Sequence, residues 1–170
     1  MRWIIKPKPE DKSVKKISDD LGVDLNIASL LVNRGITNFK EAKDFFRPKL
    51  SSLHDPYLMK DMDKAVSRIQ SALTKNERIL IYGDYDVDGT TSVAMMASYL
   101  ETKTNKIDTY IPDRFSEGYG VSYKGIDYAA DNNFSLVIAL DCGVKALEKI
   151  EYAQSKGVDF IICDHHRPGV

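Results

Sequence analysis

Net charge is almost absent from this chain: 24 Lys and Arg oppose 25 Asp and Glu, leaving −1 over 170 residues at pH 7. Such a balance gives no global electrostatic footprint for nucleic acid, so any such binding must rest on local patches. Cysteine is scarce too, with only Cys142 and Cys163. Each follows an apolar run, which predicts reduced, buried packing residues of a cytoplasmic protein rather than a disulfide framework or a metal knot. No apolar stretch approaches the roughly 20 residues of a membrane span, and the N-terminus has no signal-peptide apolar region. Histidine is the last scarcity: His54 stands alone, whereas His165 and His166 are adjacent. What remains, 43% hydrophobic and 29% charged residues, describes a globular protein with one good core and room for a small helical appendage.

Residues 1 to about 60 carry no repeating strand pattern, and we read them as a helical N-terminal arm. Asp24 is placed to cap a helix over Leu25–Val32 that Gly35 ends, and Asn38 to cap Phe39–Phe46 before Pro48. Ile27, Leu30, Leu31 and Arg34 fall at helical spacing and predict the packed face of the first of these. A helix-turn-helix DNA reader is the sharper alternative. Its recognition helix would be Lys40-Glu41-Ala42-Lys43-Asp44, which is charge-balanced rather than basic.

From residue 61 to 170 the pattern changes to alternating helices and strands. An amphipathic helix over Met62–Leu73 precedes a strand over Arg78–Tyr82. A helix from Thr90 to about Lys103 and a strand near Ile107–Ile111 follow. Ser122 caps a helix through Ala130. A strand over Leu136–Leu140, a helix over Val144–Lys156 and a strand over Phe160–Cys163 complete the chain. The apolar runs are continuous, as in strands buried on both faces, so the expected class is α/β, a Rossmann-like parallel sheet flanked by helices.

In such sheets ligands bind outside the carboxyl ends of the strands. Three polar constellations fall there. In Gly83-Asp84-Tyr85-Asp86-Val87-Asp88-Gly89, carboxylates occupy alternate residues, which on an extended backbone would share a face. Close like charges repel unless a proton or cation joins them, and oxygen-rich sites suit magnesium or manganese. The two glycines permit tight turns, and a helix starting at Thr90-Thr91-Ser92 would aim backbone N–H groups at the same edge. For a single Asp-x-Asp-Gly pair a surface turn or helix cap competes with a metal site, and three alternating carboxylates after a buried strand favour the metal. An EF-hand loop fits less well, because Thr91, Val93 and Met95 occupy its later ligand positions. The second constellation is Asp141, either an N-cap or a bridge between two ions. The third is Asp164-His165-His166, where imidazoles suit manganese or zinc and the carboxylate can orient a ring. Arg114 could clamp a phosphate or pair with Asp113 or Glu117. Tyr119 could stack on a base or belong to the core.

Asp86-x-Asp88, Asp141 and Asp164-His165-His166 resemble successive motifs of the DHH phosphoesterases, a family named for that triplet. The longer strings Gly83–Thr91, Pro112-Asp113-Arg114-Phe115 and Glu117-Gly118-Tyr119-Gly120 are similar to its branch of 5′→3′ exonucleases acting on single-stranded DNA, as are Trp3–Ile5 and Leu50–Met59. The resemblance implies a site for two ions, Mn2+ or Mg2+. Asp86 and Asp88 would each hold one, Asp141 would bridge, and His165 would be a ligand. Asp84 would join or support this set. His166 and Asp164 would form the catalytic pair, with His166 a ligand or touching the scissile phosphate. Arg114 and Tyr119 would bind substrate. It also implies a repair and recombination role beside a repair helicase or a single-strand-binding protein.

Many members carry a histidine where Tyr82 stands, which leaves one ligand position open. The family continues past the triplet with a further metal-binding aspartate, a second domain and, in this branch, an oligonucleotide-binding fold. This chain is therefore expected to be an N-terminal portion, truncated after the DHH motif, with little or no exonuclease activity alone. The competing expectations are a phosphodiesterase for short oligonucleotides or cyclic dinucleotides, a pyrophosphatase, a non-catalytic relative, and a phospho-receiver domain. The last would leave His165-His166 without a role.

Overall fold

A computed structural model describes residues 4–169, so Trp3 of the run Trp3–Ile5 lies outside the described residues. The chain divides after Leu58 into two compact units. The first holds three helices, α1 (Asp11–Leu21), α2 (Leu25–Val32) and α3 (Phe39–Phe46), then two single 3-10 turns at Leu50–Ser52 and Pro56–Leu58. Both expected caps form: Asp24 accepts from the Asn26 amide at 2.7 Å and Asn38 from the Glu41 amide at 3.0 Å. Glu41 reaches back to accept from the Thr37 amide at 2.7 Å, tying the chain entry to the first turn. The core of the unit joins Val14 and Ile17 to Ala28, Leu31, Ile36 and Ala42. The α2 stripe differs from expectation here. Ala28 and Leu31 are buried, whereas Ile27 and Leu30 are half-exposed, because α1 packs against the small side chain of Ala28.

The second unit is a three-layer α/β sandwich. Its elements are α4 (Met62–Thr74), β1 (Arg78–Gly83), α5 (Val87–Glu101), β2 (Ile107–Tyr110), α6 (Tyr123–Asp131), β3 (Phe134–Leu140), α7 (Leu147–Ser155) and β4 (Asp159–Cys163). All strand pairs are parallel, in the order β2-β1-β3-β4. Successive strand residues face opposite layers. Ile79 and Ile81 therefore pack with Ala72, Val93, Ala97 and Leu100 of α4 and α5, while Leu80 and Tyr82 pack with Ile126 and Ala129 of α6 and Ala153 of α7. Two covered faces explain the unbroken apolar runs. Cys163 departs from expectation: both cysteines are unpaired, Cys142 buried but Cys163 exposed, because Cys163 closes the edge strand.

Strand order places the functional edge. The chain leaves β1 to one side for β2 and returns on the other side as β3, which makes the β1/β3 boundary a topological switch point. In the register, Gly83 lies beside Leu140 and Leu140 beside Cys163. The next residues are Asp84, Asp141 and Asp164. Three carboxylates thus leave three neighbouring strands at one level.

Candidate metal centre

Asp84 is the first residue past β1 and is wholly buried, 0% exposed. Its Oδ1 accepts from the Asp86 amide at 3.0 Å, and its Oδ2 is buried without any hydrogen-bond partner. Burial raises its pKa, and the neighbouring Asp86 and Asp141 carboxylates push the same way. A lone buried carboxylate oxygen is costly unless something positive meets it. Asp84, Asp86 and Asp141 each bring an oxygen within 4.8 Å of the others. That set of hard oxygen donors, with its orphaned atom, suits a divalent cation.

The alternating ladder is not extended. The strand ends at Gly83, the chain bends, and α5 begins at Val87, three residues earlier than expected. The cause is capping: Asp86 Oδ1 accepts from the Asp88 and Gly89 amides at 2.9 and 3.0 Å. These bonds hold the Asp86 pKa down. They also occupy the helix N-terminus that had been expected to present open N–H groups to an anion. Asp88 sits exposed in the first turn, outside the three-oxygen cluster. Gly83 and Gly89 serve close approach rather than turning: a Cβ on Gly89 would stand 2.6 Å from the Asp84 carbonyl oxygen, and one on Gly83 would stand 2.5 Å from Val93 Cγ2. Neither has positive φ.

Asp141, 8% exposed, turns the chain out of β3 with a left-handed φ of 59° while its amide donates to the Cys163 carbonyl at 2.8 Å. Aspartate tolerates that conformation better than most residues. The segment 141–146 is accordingly a loop, and α7 begins at Leu147 rather than Val144. His165 Nε2 lies 3.1 Å from Asp141 Oδ1, and Asp141, His165 and His166 form a second group within metal-ligand reach. Asp141 belongs to both groups.

Asp164 is spent on organisation. Its Oδ2 accepts from the Val144 amide at 2.9 Å, while its Oδ1 accepts from the His166 amide at 3.0 Å and meets His166 Nδ1 at 2.7 Å. Burial opposes its charge, but these bonds outweigh burial and lower its pKa. The same contact raises the pKa of His166. With Nδ1–H given to Asp164, neutral His166 presents Nε2 as a lone pair. The bond to Val144 is a link that no sequence signal announced.

Arg114 makes no ion pair with Asp113 or Glu117; its guanidinium lies over the Tyr85 ring, 5.2 Å from the centroid. Tyr119 is no core residue, being 54% exposed. It stands edge-on to Tyr85 and to His166, at 6.2 and 6.3 Å between centroids. Burial and the nearby Asp84 and Asp141 carboxylates push its hydroxyl pKa up to about 12. An open cavity of about 480 Å³ lies beside His166, between Tyr119, Val121, Val144 and Lys149. Tyr82, at the position left open for a ligand, points away from the carboxylates into the α6 layer, 1% exposed.

Strand-end carboxylates and a paired histidine on a parallel sheet are the setting in which residues 78–170 match the DHH family, N-terminal domain. The chain belongs to that family. It is 41% identical over 169 residues to the single-stranded-DNA-specific exonuclease RecJ of Bacillus subtilis (strain 168), covering 99% of this chain and 21% of that protein. To RecJ of Escherichia coli (strain K12) it is 35% identical over 109 residues, 64% of this chain and 19% of that protein. Among solved structures, RecJ in complex with Mn2+ from Thermus thermophilus superposes with a TM-score of 0.69 at 25% identity, over 99% of this chain and 23% of that one. A structure of exonuclease RecJ bound to manganese does so at 0.61 and 31% identity, over 66% of this chain and 29% of that one. The chain spans about a fifth of the length of these curated relatives.

Proposed function

We propose that this chain carries the metal-holding half of the active site of a RecJ-like 5′→3′ exonuclease, which hydrolyses phosphodiester bonds of single-stranded DNA. The observation that carries the reading is the sharing of Asp141 between two ligand groups, one of carboxylates and one with His165 and His166. Two Mn2+ or Mg2+ ions would be held there, Asp84 and Asp86 on one side, His165 and His166 on the other, Asp141 between, with exposed Asp88 available to the first. Such a pair lowers the pKa of a water and stabilises charge building on phosphorus.

The chain's own residues do the rest. Asp164 fixes the ring of His166, Arg114 offers forked donors to a phosphate oxygen, and Tyr119 offers a ring face to an unpaired base. Buried Asp84 has an unpartnered oxygen whose charge burial disfavours until a cation meets it, and that pairing would be little screened by water. On this reading residues 1–60 form an arm, and 61–170 are the first part of the DHH domain. The enzyme is cytoplasmic, acts in repair and recombination, and works beside a repair helicase or a single-strand-binding protein. Among the described residues no helix is long and apolar enough to cross a membrane.

The test is substrate competition with the full-length protein in Mn2+. Stepwise release of mononucleotides from the 5′ end of long single strands, abolished by EDTA, is expected. Preferential hydrolysis of dinucleotides or cyclic dinucleotides would contradict the reading.

A further inference from the structure

Two features of the sequence have no part in the metal centre: Tyr82, and the glutamate of Glu117-Gly118-Tyr119-Gly120. They converge on Ser122, whose amide donates to the Tyr82 hydroxyl and whose own hydroxyl donates to Glu117. Asp113 Oδ1 accepts from the amides of Phe115 and Ser116 at 3.1 and 2.8 Å, and from the Ser116 hydroxyl at 2.8 Å. The Glu117 amide donates to the Asp113 carbonyl at 2.9 Å, and Glu117 Oε1 accepts from the Asp113 amide at 2.9 Å. The turn is thus closed at both ends. Its other anchor is internal. Glu117, whose side chain is 4% exposed, turns Oε2 inward to accept from the Tyr110 hydroxyl at 2.8 Å and the Ser122 hydroxyl at 2.6 Å. The Tyr82 hydroxyl donates to the Gly120 carbonyl at 2.9 Å and accepts from the Ser122 amide at 3.1 Å. The rings of Tyr82 and Tyr110 stack at 5.4 Å between centroids.

Between these anchors the loop carries Arg114, fully exposed Phe115 (95%) and Tyr119, the last between two left-handed glycines, Gly118 and Gly120. Left-handed glycines leave a backbone soft unless something fixes it. A buried carboxylate taking three hydrogen bonds is a strong fixing element, because removing one partner strands the others in a dry site.

We propose that Glu117 and Tyr82 are positioning residues: a buried brace, rooted in β1 and β2, that holds the Arg114–Tyr119 loop over the metal centre and so sets how a single strand is grasped. The arm concerning DNA rests on the exonuclease reading above; the brace itself does not. Tyr82 then has a definite task at a position where a ligand had been sought. Its hydroxyl fastens the loop that faces the site, from the opposite side of the sheet's edge.

The test uses the full-length protein with Glu117→Gln, which keeps size but loses an acceptor, and Tyr82→Phe, which keeps the buried ring and serves alone where the first does not fold. Ser135→Ala is the control, because it removes a hydrogen bond to Glu77 at the opposite edge of the sheet. Glu117→Gln should raise KM for single-stranded DNA about tenfold, the loss expected of one hydrogen bond to a charged group, and Tyr82→Phe about fivefold, as for a bond between neutral groups, with kcat within about threefold in both. Their Mn2+ titration should match wild type, and Ser135→Ala should leave KM unchanged. Trypsin should cut the Arg114–Phe115 bond several times faster in both brace variants than in wild type. Wild-type KM, or a Mn2+ affinity that falls in step with KM, overturns the proposal. Should wild type itself leave single-stranded DNA intact, the exonuclease reading fails, and the trypsin comparison still decides: equal cleavage in all proteins overturns the brace.

Discussion

Asp84 bears an electrostatic burden that its protein surroundings leave unmet. It is buried, one of its oxygens is unpartnered, and two further carboxylates approach within metal-ligand reach. Of the two nearby glycines, Gly83 makes room for Val93 and Gly89 makes room for Asp84. Gly89 lets the first turn of α5 close onto the Asp84 backbone, so Gly89→Ala forces a Cβ against atoms 2.6 Å away that cannot yield. We expect that substitution to cost about 3 kcal/mol in urea unfolding, at the upper end of overpacking, and to abolish Mn2+ binding with it. Asp164 works through His166. In Asp164→Asn the His166 pKa should fall back toward its ordinary value, since the hydrogen-bonded carboxylate is what raises it. An NMR titration of the imidazole in EDTA would show this, and an unmoved midpoint would deny the pairing. These roles were partly legible in sequence. The residue types named the chemistry, whereas the division of labour between Asp84 as buried acceptor, Asp86 as cap and Asp164 as tether came from a backbone bend that alternation concealed.

At the scale of elements, capping explains most of what the sequence predicted well. Asp24, Asn38 and Ser122 each cap the helix anticipated for them, because a short polar side chain before an apolar period satisfies exposed amides in only one geometry. Asn38→Ala should therefore cost about 1 kcal/mol, read from thermal unfolding, and Asn38→Asp should restore it. The same logic explains two helices that were misplaced. Asp86 serves as the helix cap that competes in sequence with its reading as a ligand, so α5 starts before Thr90; the left-handed turn at Asp141 delays α7, and a single residue at positive φ leaves no periodic trace. Asp86 now has two separable duties. Asp86→Asn should keep the cap and melt with wild type in EDTA while binding Mn2+ poorly, and Asp86→Ala should lose both. α1 falls inside the expected helical arm, but its bounds are not legible in sequence, since Val14, Ile17 and Leu21 are spaced helically but diluted by charged neighbours.

At the scale of the whole molecule, continuous apolar runs between helices were enough to define a parallel sheet with two covered faces. Strand order was not written in them; it follows from which layers the helices cover, and it alone brings Asp84, Asp141 and Asp164 to one level. The opposite edge of the sheet is held by charge. Arg68 on α4 donates to Glu77 at 2.8 Å and to Asp159 of β4 at 2.7 Å, and Glu77 also accepts from the Ser135 hydroxyl at 2.6 Å. The Ser135 bond, then Arg68, hold the Glu77 carboxyl below its usual range. A lowered carboxyl pKa stabilises the fold fully above the unfolded value of 4.5, and that stability is lost as pH falls through the folded value. Wild type should thus lose stability below about pH 4.5 more steeply than Glu77→Gln, as measured by urea midpoints at pH 7 and pH 3.5. None of this touches the central claim, that one edge of the sheet is a two-cation site. Calorimetric titration of Mn2+ into wild type, Asp86→Asn and His165→Ala tests it most directly. The account predicts at least about tenfold weaker binding in each variant, with melting in EDTA unchanged; superimposable isotherms for all three would contradict it.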